Sequence, residues 1–259
     1  MKGFFACGLL MVLLAMGGCK EPRDVLSPEE RATVDSLLRH WENWVPERKK
    51  EGTAPLITFE ELYAGLSAEQ RTFLEGVRAI NPRKSFDFQG KYLGNPAEGV
   101  RFRRIEGQWI TRGGERSPLN PQYLPENVYQ AYERMMADME KDIGKRLFVD
   151  SGYRSPAYQL YIFLYYLPKH AYSLVETGHW VALPGYSEHG APHRQAIDFV
   201  SGEGKDSDAT PEEFEQLQEY RWLLEHAQGY GCVLSYPRGR KGVTFEPWHW
   251  HYEKPRADG

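Results

Sequence analysis

The chain is poor in cysteine, in histidine, in charge of one sign and in long apolar runs, and each scarcity excludes something. Three cysteines in 259 residues cannot build the dense disulfide framework of small secreted scaffolds, so stability must come from a packed core and any metal bound to it. The formal net charge is −4 at pH 7 and no long run of one sign occurs. Neither a basic face for nucleic acid nor a charged tail is therefore expected. No apolar run reaches the roughly 20 residues that span a bilayer, and no internal repeat points to a solenoid. What is present is a globular composition, 41% hydrophobic and 26% charged with seven Trp, long enough for one domain of ordinary size and an accessory segment.

The first 19 residues stand apart. Lys2 supplies a positive start, residues 4–16 are almost wholly apolar, and Gly17-Gly18-Cys19 closes the stretch with small residues, the pattern of a secretory signal. Ala15-Met16-Gly17-Gly18-Cys19 resembles a bacterial lipobox, with Met16 where Leu is usual. The resemblance implies that Cys19 is lipidated and becomes the mature N-terminus. Cys7 then leaves with the signal and Cys232 stands alone, so no intrachain disulfide is expected. The implied place is outside the cytoplasm, lipid-anchored to the cell envelope.

Capping chemistry marks the helices. Ser27-Pro28-Glu29-Glu30 reads as a capping box with Pro at the first helical position, followed by Val34, Leu37, Leu38, Trp41 and Val45 on one face. Ser67 and Gln70 open a second helix that Asn81-Pro82 ends. Residues 83–125, rich in Gly, Pro, Arg and Asn, read as hairpin-like or irregular. A long helix resumes at Glu126 and stops at Gly144. Beyond it, strands expected at 146–149, 196–200, 232–236 and 248–252 alternate with helices at 156–167 and 211–227. The expected fold class is α+β, a small antiparallel sheet flanked by helices, with a mainly helical N-terminal region.

Only eight His occur, and four of them fall in two short windows beside carboxylates. The first holds Glu188-His189, His193 and Asp198; the second is Glu246-Pro247-Trp248-His249-Trp250-His251. A hydrolytic zinc site needs three N or O ligands, an open position for water and a base beside that water, and the two windows contain all of these. Pro247 starts a strand rather than sitting inside one. His249 and His251 then share a face, with Trp248 and Trp250 on the other, and Glu246 is free to reach over the site. In Ala196-Ile197-Asp198-Phe199-Val200 the Asp faces away from Ile197 and Phe199, and it needs a metal or a cation beside it if buried. A lone His is more often a hydrogen-bonded structural residue than a ligand, and His40, His170, His179 and His226 are read so. His193 and His251 stay open between an outer role, a substrate-facing role and none. A third segment, Asp150-Ser151-Gly152-Tyr153-Arg154-Ser155 with Gln159, follows a strand. There Arg154 is either an oxyanion or carboxylate partner or an ordinary surface cation.

Together, Ser151-Gly152-Tyr153-Arg154-Ser155 with Gln159, Pro184-Gly185-Tyr186-Ser187-Glu188-His189, Ala196-Ile197-Asp198-Phe199 and Glu246-Pro247-Trp248-His249-Trp250 resemble the VanY-type D-alanyl-D-alanine carboxypeptidases. The resemblance covers about half of the chain and implies a Hedgehog/D,D-peptidase-like fold over 126–259, with 20–125 as an accessory region. It implies Zn²⁺ held by His189, Asp198 and His249, Glu246 as catalytic base and Arg154 stabilising the tetrahedral intermediate. Ser155, Gln159, Tyr153 and Ser187 form the implied substrate-binding set. The family usually spaces the first His and the Asp by seven positions; here the separation is nine, so His193 is a second candidate for that ligand. His251 is likewise an alternative to His249.

The implied partners are peptidoglycan stem peptides and, through the lipid, a membrane. The first expectation is a zinc D,D-carboxypeptidase that removes the terminal D-Ala. Two alternatives are the same chemistry as an L,D-carboxypeptidase, D,D-dipeptidase or endopeptidase, and a non-catalytic peptidoglycan-binding lipoprotein. An intact Glu246 argues against the last.

Overall fold

A computed structural model describes residues 24–85, 90–94, 99–206, 210–240 and 244–253. The signal stretch, Cys7 and Cys19 lie outside these residues. In the first half, helices α1 (Pro28–Trp41), α2 (Trp44–Lys50), α3 (Phe59–Leu62), α4 (Ala68–Arg78) and α5 (Pro82–Ser85) precede two hairpin-like ladders. Strand β1 (Phe102–Ile105) pairs antiparallel with β4 (Gln122–Pro125), and β2 (Trp109–Arg112) with β3 (Glu115–Pro118). The second half runs α6 (Glu126–Ile143), β5 (Leu147–Ser151), α7 (Pro156–Tyr166), α8 (Leu174–Trp180), β6 (Ala196–Ser201), α9 (Pro211–Glu215), α10 (Gln218–His226), β7 (Cys232–Leu234) and β8 (His249–Tyr252). Its sheet is antiparallel in the order β5-β6-β8-β7. The architecture is the expected α+β one.

The capping boxes read at Ser27 and Ser67 form, and Thr210 makes another at the start of α9. The hydroxyls of Ser27, Ser67 and Thr210 each accept from the backbone amide three residues on, and the Glu or Gln there returns the bond. Helix α6 ends on Gly144 in the left-handed conformation (φ 67°).

Two helix expectations break. The first helix stops at Trp41 and restarts as α2, because Pro46 has no amide donor and its ring clashes with the carbonyl four residues earlier. The helix expected at 211–227 is two, α9 and α10, separated where Leu217 turns extended (ψ 141°) and packs on the sheet core. Three strand bounds also shift: β5 runs to Ser151, β7 stops at Leu234, and β8 starts at His249.

The apolar residues gather in two cores that do not divide at residue 125. One joins β1, β4, α6, the sheet and α10 through residues such as Leu124, Met135, Phe199 and Trp250. The other joins α1, α2 and α4 to α7, with Trp41 lying edge-on to Tyr161. Helix α7 follows the sheet strand β5 in sequence, yet it packs with the N-terminal helices. Residues 24–85 are thereby docked on the second half. The seam runs through Ser155, whose amide donates to Pro55 O (2.8 Å) and whose hydroxyl donates to Ile57 O (2.5 Å).

Candidate metal centre and its surroundings

The middle strand β6 is buried at every position, and its alternation sends Ile197 and Phe199 into the sheet core while Asp198 faces the other side. Register places Asp198 opposite Ser151 of β5 and opposite His249 of β8. His189 arrives from a single 3₁₀ turn, Glu188–Gly190, which Ser187 caps by accepting from the His189 amide. His189, Asp198 and His249 are 2%, 7% and 6% exposed. One donor atom from each lies within 4.8 Å of the others.

The ring orientations leave one nitrogen of each imidazole for the cluster. His189 Nδ1 donates to Gly152 O (2.7 Å) and its Nε2 stands 3.1 Å from Asp198 Oδ2. His249 Nε2 donates to Glu188 Oε2 (3.0 Å) and its Nδ1 stands 2.8 Å from Asp198 Oδ1. Gly152 packs closely here: a Cβ there would come within 2.3 Å of Tyr123 O on β4. Two imidazoles, each tied at its far nitrogen, and one carboxylate make a donor set that suits a divalent metal with further positions open.

Burial and charge set the protonation pattern. Burial, then the Arg154 charge, pushes His189 down to about 4, so it is neutral. Burial alone would lower His249 too, but Asp198, Glu188 and Glu246 override it and raise it to about 10. Asp198 and Glu188 are buried, which favours their neutral forms, yet the protonated His249 that touches both holds them well below the usual carboxylate range.

Glu246 stands just before β8, its Oε2 3.8 Å from His249 Nδ1. Burial first, with the charges of Asp198 and Glu188 adding, pushes its carboxyl up to about 7, against the pull of His249 and Arg154. Arg154 belongs to the same cluster. Its Nη2 donates to Asp198 Oδ2 (3.0 Å), its Nε donates to Ser151 Oγ (2.9 Å), and its amide donates to His189 O (3.0 Å).

The two other candidate histidines lie apart from this cluster. His193, in the longer connection, is exposed. His251 is buried with Nδ1 2.7 Å from Ser235 Oγ and Nε2 3.0 Å from Glu253 Oε1. Neither joins the donor cluster found among the described residues.

The substrate set is placed unevenly. Ser155 caps α7 and bonds to Ile57, and Ser187 caps the His189 turn. Both hydroxyls thus already have structural partners. Gln159 Nε2 donates to Ala182 O (2.7 Å), while its Oε1 is buried with no partner among the described residues. The Tyr153 ring packs on Phe102 (4.3 Å between centroids), and a cleft of about 430 Å³ runs beside it between residues 56–59 and 155–157.

Sequence reasoning gave no role to Glu188, Arg194, Ser235 or Tyr236, whose ring lies 4.8 Å from that of His249. The one available signal was a carboxylate directly before a ligand histidine.

A buried His, Asp and His with a carboxylate and an arginine alongside defines a candidate hydrolytic metal centre. The family profile of VanY, D-alanyl-D-alanine carboxypeptidase, matches residues 121–255, just over half of the chain. The chain belongs to this family. A D-alanyl-D-alanine carboxypeptidase of Enterococcus faecium is 29% identical over 134 residues, 50% of this chain and 37% of that protein. One of Enterococcus faecalis is 34% identical over 85 residues, 32% of this chain and 28% of that protein. The chain thus spans well under half the length of these two relatives. Among solved structures, VanYB in complex with D-alanine-D-alanine is 26% identical, with 61% of this chain and 81% of that one covered and a TM-score of 0.44.

Proposed function

We propose that this chain is a zinc-dependent D,D-carboxypeptidase that removes the C-terminal D-Ala from peptidoglycan stem peptides. The observation that carries the reading is the convergence of His189, Asp198 and His249 donor atoms with Glu246 beside them, in a chain of the VanY family. Zinc, when bound, polarises a carbonyl and makes water a nucleophile at neutral pH. His189, Asp198 and His249 would hold it, and Gly152 O accepts from the far nitrogen of His189. Glu246 takes the proton of the attacking water and returns it to the leaving amine, a role suited to a carboxyl near 7. Arg154 presents positive charge at the cluster, where the oxyanion of the tetrahedral intermediate needs it. Ser155, Gln159, Tyr153 and Ser187 belong to the wall that receives the peptide end, Gln159 through its unpartnered carbonyl oxygen.

The test is incubation with muropeptides carrying tetrapeptide and pentapeptide stems, with and without chelator, followed by product masses. Loss of one D-Ala from the pentapeptide alone, abolished by chelator, supports the reading. Cleavage at another bond makes it an L,D-carboxypeptidase, dipeptidase or endopeptidase. No turnover with zinc bound sinks both and leaves a peptidoglycan-binding protein.

The same reading places the protein outside the cytoplasm, anchored by lipid on Cys19, supported by the apolar run and small residues that precede it. Mass spectrometry of the N-terminal peptide tests this. An unmodified Cys19, or no shift of Cys19→Ser to the soluble fraction, overturns it.

A further inference from the structure

His249 is gripped from behind by a network that the proposed chemistry does not itself require. Glu188 is nearly buried, with 11% of its side chain exposed, and both its oxygens are taken. Oε2 accepts from His249 Nε2 (3.0 Å) and Ser235 Oγ (2.6 Å), and Oε1 accepts from Arg194 Nε (2.8 Å). Arg194 also reaches Glu253 (2.5 Å), Glu253 meets His251 (3.0 Å), and His251 meets Ser235 (2.7 Å). Glu188, Arg194, Glu253, His251 and Ser235 close a ring of five side chains, and His249 is held from its Glu188 member.

We propose that Glu188 is a positioning residue that fixes His249 with Nδ1 toward the metal-binding cluster, and that Arg194 is the clamp that holds Glu188 to this task. The inference rests on the zinc reading above. A neutral imidazole carries one N–H; a carboxylate accepting from Nε2 puts the proton there and leaves the Nδ1 lone pair for a metal. Glu188 lies across the ring from that lone pair, so it orients the ligand without competing as one. A buried carboxylate stays charged only if it is paired, and Arg194 supplies the pairing cation. Arg194 comes from the single turn Pro192–Arg194 in the lengthened connection between His189 and Asp198. The same connection that carries His193 out to solvent therefore carries the clamp in.

The experiment measures zinc affinity by chelator competition, the visible spectrum of the cobalt-substituted protein, and kcat and KM at saturating zinc. Glu188→Ala should lose about 10- to 100-fold in zinc affinity, shift the cobalt bands, and lower kcat while leaving KM in place. Glu188→Gln should recover part, because its amide oxygen still accepts from Nε2. Arg194→Gln should lose about 10-fold, the lower end for such outer contacts, and Arg194→Lys should restore it. A folded Glu188→Ala with zinc affinity within about twofold of the parent and unshifted cobalt bands overturns the proposal. Should Glu188→Ala not fold, unchanged affinity and spectrum in both Glu188→Gln and Arg194→Gln overturn it instead. A parent protein that takes up no zinc removes the peptidase reading itself, a result distinct from a zinc-binding parent whose variants bind equally well.

Discussion

The two histidines of the cluster share Asp198, lie 5.0 Å apart between ring centroids and are both buried, yet they differ in charge state. His189 is tied to a neutral backbone carbonyl, and burial together with Arg154 keeps it neutral. His249 stands among Asp198, Glu188 and Glu246, whose charges overcome the same burial. Burial therefore does not decide the state of a ligand; the sign of the group behind it does. In the metal-free protein only His249 holds a proton that a metal must displace.

The sharpest way to break this comparison is to delete each ring. Both His189→Ala and His249→Ala should abolish tight zinc binding, but in chelator they should differ. His249→Ala strands carboxylates without their cation and should cost about 3–5 kcal/mol, while His189→Ala loses a neutral buried hydrogen bond, about 1–3 kcal/mol. Urea denaturation of the chelated proteins measures both, and equal losses would erase the distinction. Glu246→Ala comes next: it leaves the Gly152 and Glu188 contacts of the two imidazoles in place, so zinc content should persist while kcat falls by about 10²–10⁴-fold. Surviving activity would mean that another group is the base.

The pH dependence of the chelated protein is a third handle. His249 is raised on folding from 6.5 to about 10, so its contribution to stability is complete below 6.5 and is lost as pH rises through 10. The chelated protein should therefore become easier to denature between about pH 7 and pH 10, and the zinc-loaded protein should not show that loss. A flat profile in chelator would show that His249 is neutral like His189. The smallest effect is expected from Gly152→Ala. The added carbon must push against Tyr123 O and shift the carbonyl that orients His189, which should weaken zinc binding about 10-fold. The cobalt spectrum should change with it.

Much of this site was legible because its residue types are scarce and their spacing is local. His249, Pro247 and Glu246 lie within four residues, and the alternation around Asp198 is visible in Ala196-Ile197-Asp198-Phe199-Val200. The doubt over His193 could not be settled from spacing, because a loop two residues longer permits either histidine to reach the cluster. Only the fold shows His193 in solvent and Arg194 turned inward. Glu188 was overlooked for a similar reason: its partners, at positions 194, 235 and 249, come from three separate segments.

By itself the sequence determined the starts of α1, α4, α6, α7 and α9, the end of α6, the alternation of β6 and the set of chemically competent side chains. These depend on interactions within a few residues: capping bonds, the left-handed freedom of glycine, and the two-residue period of a strand. Tertiary structure alone decided that α7 leaves the sheet to pack with the N-terminal helices, that Ser155 ties the two halves together, and that His189 and His249 differ in charge. Those outcomes depend on which groups meet across long stretches of chain, where Coulomb and desolvation energies are set by neighbours that local pattern does not specify.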